Sequence, residues 1–318
     1  MNNKQSAIPT QLNLLLGTLL ITENILALFA LPWLIHSSLG LSLLLLLDII
    51  AIRVTNFHWH LTHEAVHGLL AEPRWLNEWL GIVLGALFFS SFSIARYGHL
   101  NHHRNNRYAD TQEVYYQEDN PSYFKYYFEL LGGFFIVYEF LLIALAWAPK
   151  ALAKTIIEKN IKRKANRHDL GIYVDLKNII DNPRSIENVR KESILFIFVL
   201  LLSLYSYSQH FIIWLSYFWA RAFFVSYLNN MPHYKNSIQT DINASDNAYL
   251  PKFLQLCYLN FNYHRVHHRY PKTPWTELPI LFKETNDHFD CDYMKVYFQQ
   301  LKGPVYYEQL AESSRKLG

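Results

Sequence analysis

The stretch Asn262-Tyr-His-Arg-Val-His-His268 decides the fold, because it holds three histidines in the pattern H-x-x-H-H. The same pattern occurs in His99-Leu-Asn-His-His103, and the related pair H-x-x-x-H occurs in His63-Glu-Ala-Val-His67. His233 lies before the last cluster, four residues after Asn229. In a helix, positions i, i+3 and i+4 share one face. Each cluster is therefore expected to direct its imidazoles to one point.

The number of histidines in these clusters predicts two metal ions rather than one. Neutral imidazole is the usual protein ligand for iron, zinc and copper, and a zinc ion takes about four ligands. One helical pair alone would more often line a core, but two identical triplets, a pair and an Asn-x-x-x-His favour a metal site. The predicted metal ligands are His63, His67, His99, His102, His103, His233, His264, His267 and His268.

The composition is typical of a membrane protein. Of 318 residues, 51% are hydrophobic and 16% are aromatic, whereas the formal net charge is only +3. Aromatic residues are enriched at membrane interfaces, and a nucleic-acid binder would show a clustered basic excess. The two cysteines, Cys257 and Cys291, form no zinc pattern and are expected to be free thiols.

Hydrophobic runs predict four membrane spans. The runs are Leu12–Ile35, Leu41–Phe57, Phe124–Trp147 and Ser193–Asn229, the last expected as one long helix. Three of the runs are long enough to cross the ~30 Å hydrocarbon layer, and Leu41–Phe57 is at the lower limit of that length. The second helix is expected to continue to His67 and to end at Gly68, a common helix stop.

A fifth apolar run, Trp79–Ala95, is predicted to lie at the membrane interface. A span at this position would place the first two histidine clusters on opposite sides of the membrane, where they could not share a site. The expected fold is therefore an all-α integral membrane protein, with about four transmembrane helices in two hairpins and a cytoplasmic helical cap that holds the two metals.

The domain prediction assigns residues 1–280 to the membrane domain, with a polar insert at 150–192, and 281–318 to a soluble C-terminal tail. In the four-span layout, the basic insert lies opposite the metal site, against the positive-inside tendency. An alternative layout divides 193–229 into two short spans and makes 124–147 a re-entrant helix.

Three arginines, Arg96, Arg104 and Arg107, surround the second cluster. They are interpreted either as residues that bind anionic lipid at the interface or as a clamp for the head group of an acyl substrate. His58 and His60 lie off the His63/His67 face and are expected to pack against the site or to support its ligands.

The three clusters resemble the histidine boxes of the membrane fatty acid desaturase superfamily, in order, spacing and the long gap before the last box. The resemblance covers roughly residues 40–280. Asn229-x-x-x-His233 is similar to an additional Asn and His of that family, which implies that Asn229 acts on the metal through water. Tyr270-Pro271 and Pro274-Trp275, followed by Leu278-Pro279, resemble bacterial acyl desaturases and carotenoid ketolases.

The resemblance implies a non-haem di-iron centre, with two iron ions as cofactors and O2 as co-substrate. The first box has three intervening residues, whereas animal acyl-CoA desaturases have four. No His-Pro-Gly-Gly haem signature of a fused cytochrome b5 is present, which predicts a separate electron donor: a ferredoxin, a rubredoxin or a flavoprotein reductase.

The resulting functional expectation is an O2-dependent oxidoreductase that desaturates a lipid or fatty acyl chain. Hydroxylase, ketolase and terminal-alkene-forming decarboxylase activities of the same superfamily stay open, as do the chain length, regioselectivity and head group. A histidine-rich metal transporter is the more distant alternative. The expected location is the bacterial inner membrane, with the site facing the cytoplasm and no nucleic acid as partner.

Overall fold

The structure is a computed structural model that describes residues 7–34, 57–104, 115–116, 123–164, 177–236 and 245–306. The described chain is mostly helical, which confirms the all-α class. The α-helices with at least six described residues are α1 (Thr10–Ile25), α2 (57–67), α3 (Arg74–Leu87), α4 (Phe92–Arg104), α5 (Tyr123–Leu130), α6 (Gly133–Trp147), α7 (Lys150–Lys164), α8 (Pro183–Ser206), α9 (Phe211–Asn230), α10 (Lys252–Cys257), α11 (His264–Arg269), α12 (Leu278–Glu284) and α13 (Tyr293–Gln299).

Two helical segments of the described chain are long and apolar enough to cross a membrane, Thr10–Trp33 and Ser208–His233. The first includes α1, which continues through a π-helical segment, Leu26–Ala30. Leu19 is 60% exposed and Ile212 is 70% exposed, as expected of residues that face lipid. If each of two bent helix pairs is counted as one span, the number of candidate spans rises to four. The protein is thus a membrane protein. Of the expected span Leu41–Phe57, all but the last residue lies outside the described residues.

The predicted single helix over 193–229 is wrong. Helix α8 ends at Ser206, a 3-10 turn occupies Ser208–His210, and α9 begins at Phe211. Trp214 Nε1 donates to Ser203 Oγ at 2.9 Å, although residues eleven apart would be about 16 Å apart in a straight helix. The chain therefore turns back here, and the segment forms two helices as the alternative layout expected. That both helices are membrane spans stays a prediction.

The physical reason lies in contacts across the turn as well as within it. The hydroxyl of Ser203 donates to Leu200 O at 2.8 Å and that of Ser206 to Leu202 O at 3.0 Å. Such side-chain bonds compete with the helical backbone pattern, but Ser193 and Ser216 make similar bonds within continuous helices, so the bond between Trp214 and Ser203 is also needed to hold the turn. Tyr207 then donates its hydroxyl to Ala27 O at 2.6 Å, which fixes the turn against the first span.

Two further runs that were expected to be continuous are also broken. Helices α3 and α4 differ in direction by 102°, so Trp79–Ala95 is not one helix. Helices α5 and α6 differ by 73°. At the second break, Gly132 has a φ of 88°, and a Cβ there would lie 2.4 Å from the carbonyl carbon of Ala222. Only glycine allows this close approach to α9.

Two buried acids hold the bend between α3 and α4. Glu139 from α6 accepts from the backbone N–H of Ser91 at 2.6 Å, and Glu192 from α8 accepts from that of Ser93 at 2.7 Å. Ser91 also donates its hydroxyl to Glu192 at 2.7 Å. These bonds satisfy donors at the start of α4, where a negative charge is favourable. The bend thereby sets the direction of the helix that carries the second histidine cluster.

The C-terminal part of the described chain packs on the helices of the membrane domain. Strand β1 (Tyr115–Tyr116) pairs with β4 (Val305–Tyr306), and β2 (Ala248–Tyr249) pairs with β3 (Cys291–Asp292), both in parallel. Tyr126 of α5 donates its hydroxyl to Gln300 O at 2.6 Å. The domain boundary at residue 280 stays a prediction.

Candidate metal centre

The first histidine cluster occupies the end of α2. His63 and His67 lie one turn apart, and the helix ends at Gly68, whose φ is 77°. Leu69 N donates to Glu64 O at 2.8 Å and Gly68 N donates to Ala65 O at 3.0 Å. This pair of bonds is the Schellman motif. The predicted stop at Gly68 is confirmed.

The other histidines lie on three separate elements. Helix α4 carries His99, His102 and His103, the 3-10 turn Met231–His233 that follows α9 carries His233, and α11 carries the third cluster. Helix α11 ends at Arg269, before the proline-containing segment that was expected to stop it. Asn247 stabilises the start of this helix, because its Oδ1 accepts from Arg265 N at 3.1 Å.

The structure brings all nine predicted histidines together in two groups. Within each group, the ligand atoms lie within 4.8 Å of one another. The five-histidine group consists of His63, His67, His99, His103 and His267. The four-histidine group consists of His102, His233, His264 and His268.

The groups do not follow the boxes. In each H-x-x-H-H cluster, the first and last histidines enter one group and the middle histidine enters the other. His102 and His103 are neighbours in the chain but belong to different groups. The groups adjoin, since the rings of His103 and His268 stack at a centroid distance of 4.3 Å.

The distances between ring nitrogens show that each group suits a cation. In the five-histidine group, four Nε2 atoms form a series in which each lies 2.9, 2.9 and 3.0 Å from the next, in the order His67, His99, His103 and His267. In the four-histidine group, separations of 3.1, 3.0 and 3.0 Å join those of His102, His233, His264 and His268. A ring nitrogen carries at most one hydrogen, and a protonated nitrogen cannot accept. Three contacts in series therefore cannot all be two-centre hydrogen bonds between neutral rings, whereas one cation satisfies every nitrogen.

The spacing of the ring nitrogens is that expected between ligands of one ion. With metal–nitrogen bonds of about 2.1 Å, neighbouring ligands are about 3.0 to 3.4 Å apart. The nearest nitrogens are 2.9 to 3.1 Å apart, so both groups are able to hold a metal ion.

Burial keeps the imidazoles in the form that binds metal. Exclusion of water, with a smaller contribution from neighbouring histidines, holds the pKa of the His264, His267 and His268 rings well below the ordinary value of 6.5. These rings are therefore neutral at physiological pH and retain a lone pair for a cation.

Side-chain hydrogen bonds, most of them from neutral amides, hold the end of α2. Asn77 Nδ2 donates to Ala65 O at 2.9 Å, and Asn13 Nδ2 donates to Leu70 O at 2.9 Å. The charged Arg96 also donates to Ala65 O, from Nη2 at 3.1 Å. Ala65 O lies in the last turn of α2 and Leu70 O in the segment that follows, so these bonds add to the few that the backbone makes around His67.

Trp275 connects three distant parts of the chain at this site. Its indole Nε1 donates to Asn13 Oδ1 at 2.9 Å, and its backbone N donates to Glu64 Oε2 at 3.2 Å. Asn260 Nδ2 donates to its carbonyl at 3.0 Å. The first span, the first box and the segment after the third box are thereby joined at one buried residue.

Charged groups support the third box. Arg265 of α11 forms ion pairs with Asp287 and Asp290, and Arg269 pairs with Asp287 at 3.1 Å. The Arg265 and Asp287 side chains are 11% and 4% exposed. Helix α11 is only six residues long, so these contacts hold it in place where its own backbone bonds are few.

The remaining predicted residues have other contacts or lie outside the described chain. Arg96 pairs with Glu78 through an Nη2–Oε1 bond of 2.8 Å and covers the Phe92 ring at 4.3 Å. Arg104 is exposed, and Arg107 lies outside the described residues. The head-group clamp stays a prediction. Asn229 Oδ1 accepts from Trp59 Nε1 at 3.0 Å, and its action through water also stays a prediction.

Several contributing residues were not predicted from the sequence, among them Asn13, Glu64, Asn77 and Trp275. Asn13 is a polar residue within an apolar helix, and Glu64 is an acid between two ligands; both are signals of a buried polar contact. Trp275 lies in the proline-containing motif quoted above. Its partners are distant in sequence, so no local pattern indicates them.

Comparison with known proteins agrees with a membrane protein that carries two histidine groups. The profile of the fatty acid desaturase family matches residues 24–301, and the chain belongs to this family. It is similar to Delta(12) fatty acid dehydrogenase of Crepis alpina, with 28% identity over 69 residues, which are 22% of this chain and 18% of that protein. No solved structure matches the chain.

Proposed function

We propose that the protein is an O2-dependent fatty acyl desaturase that introduces a double bond into the acyl chain of a lipid. The observation that carries the proposal is the pair of adjoining, buried histidine groups in a chain of the fatty acid desaturase family. Each group presents at least four converging ring nitrogens, and this donor set fits an iron ion.

Iron is favoured over zinc by the reaction. When bound, two iron ions supply the redox chemistry that activates O2 for removal of two hydrogens from unactivated carbons, which redox-inert zinc does not supply. In balanced form, the –CH2–CH2– unit, O2, two electrons and two protons give –CH=CH– and two water molecules. An external ferredoxin, rubredoxin or flavoprotein reductase delivers the two electrons.

The residues of this chain hold and shield the centre. The nine imidazoles surround two adjoining positions, and six of them are buried whereas His67, His99 and His102 are half-buried, which limits the access of bulk water. Rigid placement matters because neighbouring methylenes are chemically near-identical, so regioselectivity depends on position relative to the metals. The acyl chain enters from the lipid, and the exposed Arg104 is a candidate contact for its head group.

The proposed topology places the N-terminus, the three boxes and residues 281–306 in the cytoplasm, in a bacterial inner membrane. The turn at Ser208–His210 supports a hairpin of α8 and α9, which returns the start of α8 to the side where α9 ends. The basic insert then lies on the same side as the metal centre, in accord with the positive-inside tendency.

Cysteine labelling tests this topology. Lys191 and Lys283 are exposed, and each is replaced by Cys in a background with Cys257→Ser and Cys291→Ser. Both positions are expected to react with a membrane-impermeant maleimide in inverted vesicles and not in intact cells. Labelling from opposite sides would contradict the hairpin.

Isotope labelling tests the reaction itself. Cells that express the chain are fed deuterated palmitate with and without O2, and their lipids are analysed by mass spectrometry. Loss of two deuterium atoms with an internal double bond, in the presence of O2 only, is the expected result. A gain of oxygen indicates the hydroxylase or ketolase alternative, and loss of the carboxyl carbon indicates the decarboxylase.

Metal analysis of the purified protein separates the enzyme from a transporter. Two iron ions per chain are expected. One labile zinc ion, without oxygen-dependent turnover, would contradict the proposal and favour transport.

A further inference from the structure

A small cavity lies beside the four-histidine group. Its polar lining comes from His60, Asp246, Tyr258, Asn262, His264 and Tyr293. The cavity volume is about 10 Å³. A volume of this size holds about one water molecule when polar partners are present.

Three of the residues that line the cavity have buried polar atoms without a protein partner among the described residues. These atoms are both ring nitrogens of His60, Oδ1 of Asn262 and Nδ1 of His264. The three residues are 2%, 3% and 2% exposed, respectively. Buried polar atoms in folded proteins are nearly always hydrogen-bonded, to protein or to ordered water.

The second side-chain polar atom of His264 and that of Asn262 already have partners. His264 Nε2 lies 3.0 Å from the Nε2 atoms of both His233 and His268, so this nitrogen belongs to the metal group. Asn262 Nδ2 donates to Ala248 O at 3.0 Å. The Nδ1 of His264 and the Oδ1 of Asn262 are therefore the atoms left for the cavity.

His60 is held in place by packing rather than by hydrogen bonds. Its ring stacks on Phe261 at a centroid distance of 4.4 Å, and Phe261 in turn contacts the His264 ring at 4.6 Å. His58, two positions earlier on the same helix, differs because its Nε2 lies 2.8 Å from Leu84 O. The His58 ring thus has a backbone carbonyl as its partner, whereas the His60 ring borders the cavity.

We propose that the cavity holds one ordered water molecule that connects His60 to the four-histidine group. The water accepts the Nδ1–H of His264 and donates to Asn262 Oδ1 and to a ring nitrogen of His60. Three hydrogen bonds are the usual number for a buried water. The proposal rests on the proposed function in one respect, namely that the four-histidine group binds metal.

This water gives His60 a defined task as a positioning residue. A ligating histidine usually donates its second ring N–H to a carboxylate, a carbonyl or a water, which fixes the tautomer and strengthens the metal bond. Here the hydrogen bond from His264 Nδ1 to the water keeps the ring hydrogen on Nδ1 and leaves Nε2 free for the metal. Loss of such a partner weakens metal binding by about 10- to 100-fold.

The test measures metal affinity in the full-length protein in detergent. Metal-free wild type, His60→Phe and His60→Gln are titrated with Co2+, and the visible absorption bands of Co2+ report each site. His60→Phe retains the stacked ring and removes both nitrogens, so one of the two sites is expected to weaken about 10- to 100-fold. His60→Gln, which keeps a polar group toward the cavity, is expected to recover most of the affinity.

His58→Phe is the matched control, because it removes a buried histidine of the same helix that has a backbone partner. It is expected to lower the thermal stability and to leave both Co2+ affinities within a few-fold of wild type. Equal losses in His58→Phe and His60→Phe would show a packing role and overturn the proposal, as would an unchanged affinity in His60→Phe.

The outcome is separate from that of the proposed function. If wild type binds two ions but desaturates no lipid, the proposed reaction falls, whereas the affinity of His60→Phe still decides the role of the water. If wild type binds no ion in the four-histidine group, both proposals fall.

Discussion

The end of α2 and the third-box helix α11 both present histidines to the metal groups, but different forces hold them. The end of α2 is bound mainly by neutral amide and indole groups, from Asn13, Asn77 and Trp275. Helix α11 is bound by ion pairs of Arg265 with Asp287 and Asp290. One anchor depends on hydrogen-bond geometry and the other depends on charge.

The difference indicates how each anchor responds to its surroundings. Neutral buried hydrogen bonds are insensitive to salt, whereas ion pairs weaken as screening and exposure increase. Helix α11 supplies two of the four ligands of the four-histidine group and one ligand of the five-histidine group. We therefore expect the four-histidine group to be the more easily disturbed of the two.

Removal of a ligand gives the largest effect and tests whether both groups are essential. His267→Ala in the five-histidine group and His102→Ala in the four-histidine group are each expected to lower turnover more than about 100-fold. The measurement is desaturated lipid per mole of membrane-inserted protein. Wild-type turnover by either variant would contradict the assignment of the metal ligands.

Asp287→Ala tests the charged anchor. The change leaves the Arg265 guanidinium largely buried with only Asp290 as counter-charge, and loss of one partner of a buried pair costs about 3 kcal/mol. A lower melting temperature and a preferential loss of metal from the four-histidine group are expected. An equal loss from both groups would contradict the comparison.

Trp275→Phe tests the neutral anchor. The indole N–H is removed, and the buried Asn13 Oδ1 loses its donor, which costs about 1–3 kcal/mol. The loss in melting temperature is expected to be the same in low and high salt. Trp79→Phe is the control, since Trp79 is 63% exposed and is expected to change stability by less than about 0.5 kcal/mol.

Asp290→Asn gives the smallest expected effect. Asp290 is 21% exposed, and such a partly exposed pair contributes about 1 kcal/mol or less. Thermal unfolding in low and high salt measures it, and the difference from wild type is expected to decrease as salt rises. A deficit that is independent of salt would show that Asp290 acts through geometry, as Trp275 does.

The metal ligands were predictable because helical spacing places i, i+3 and i+4 on one face. The division of these ligands between two groups was not predictable. His102 and His103 enter different groups because of where α4 and α11 lie relative to each other. Hydropathy located the apolar helices, yet it missed the turns near Phe88, Gly132 and Tyr207. A hydropathy sum does not register a serine hydroxyl that bonds to the backbone, or a glycine packed against another helix.

The residues that hold the metal ligands in place were the hardest to predict, because their contacts also depend on the packed fold. Asn13 and Trp275 contact each other from opposite ends of the chain, so only the packed fold relates them. His58 and His60 were both expected to pack against the site or to support its ligands, and their sequence positions do not distinguish them. The difference lies in whether a carbonyl or a cavity faces the ring.

The division of each H-x-x-H-H cluster between the two histidine groups also affects how the protein folds during its synthesis. Both histidine groups include residues of α11, which the ribosome adds about 200 residues after α2, so neither group is complete until α11 has been made. An ion that then binds the folded site stabilises the folded chain by mass action, by about 2.7 kcal/mol when the free metal concentration is 100 times the dissociation constant. Metal supply once α11 has been made thus acts on folding as well as on chemistry. Cells short of the metal are expected to degrade newly made chains faster than chains completed earlier.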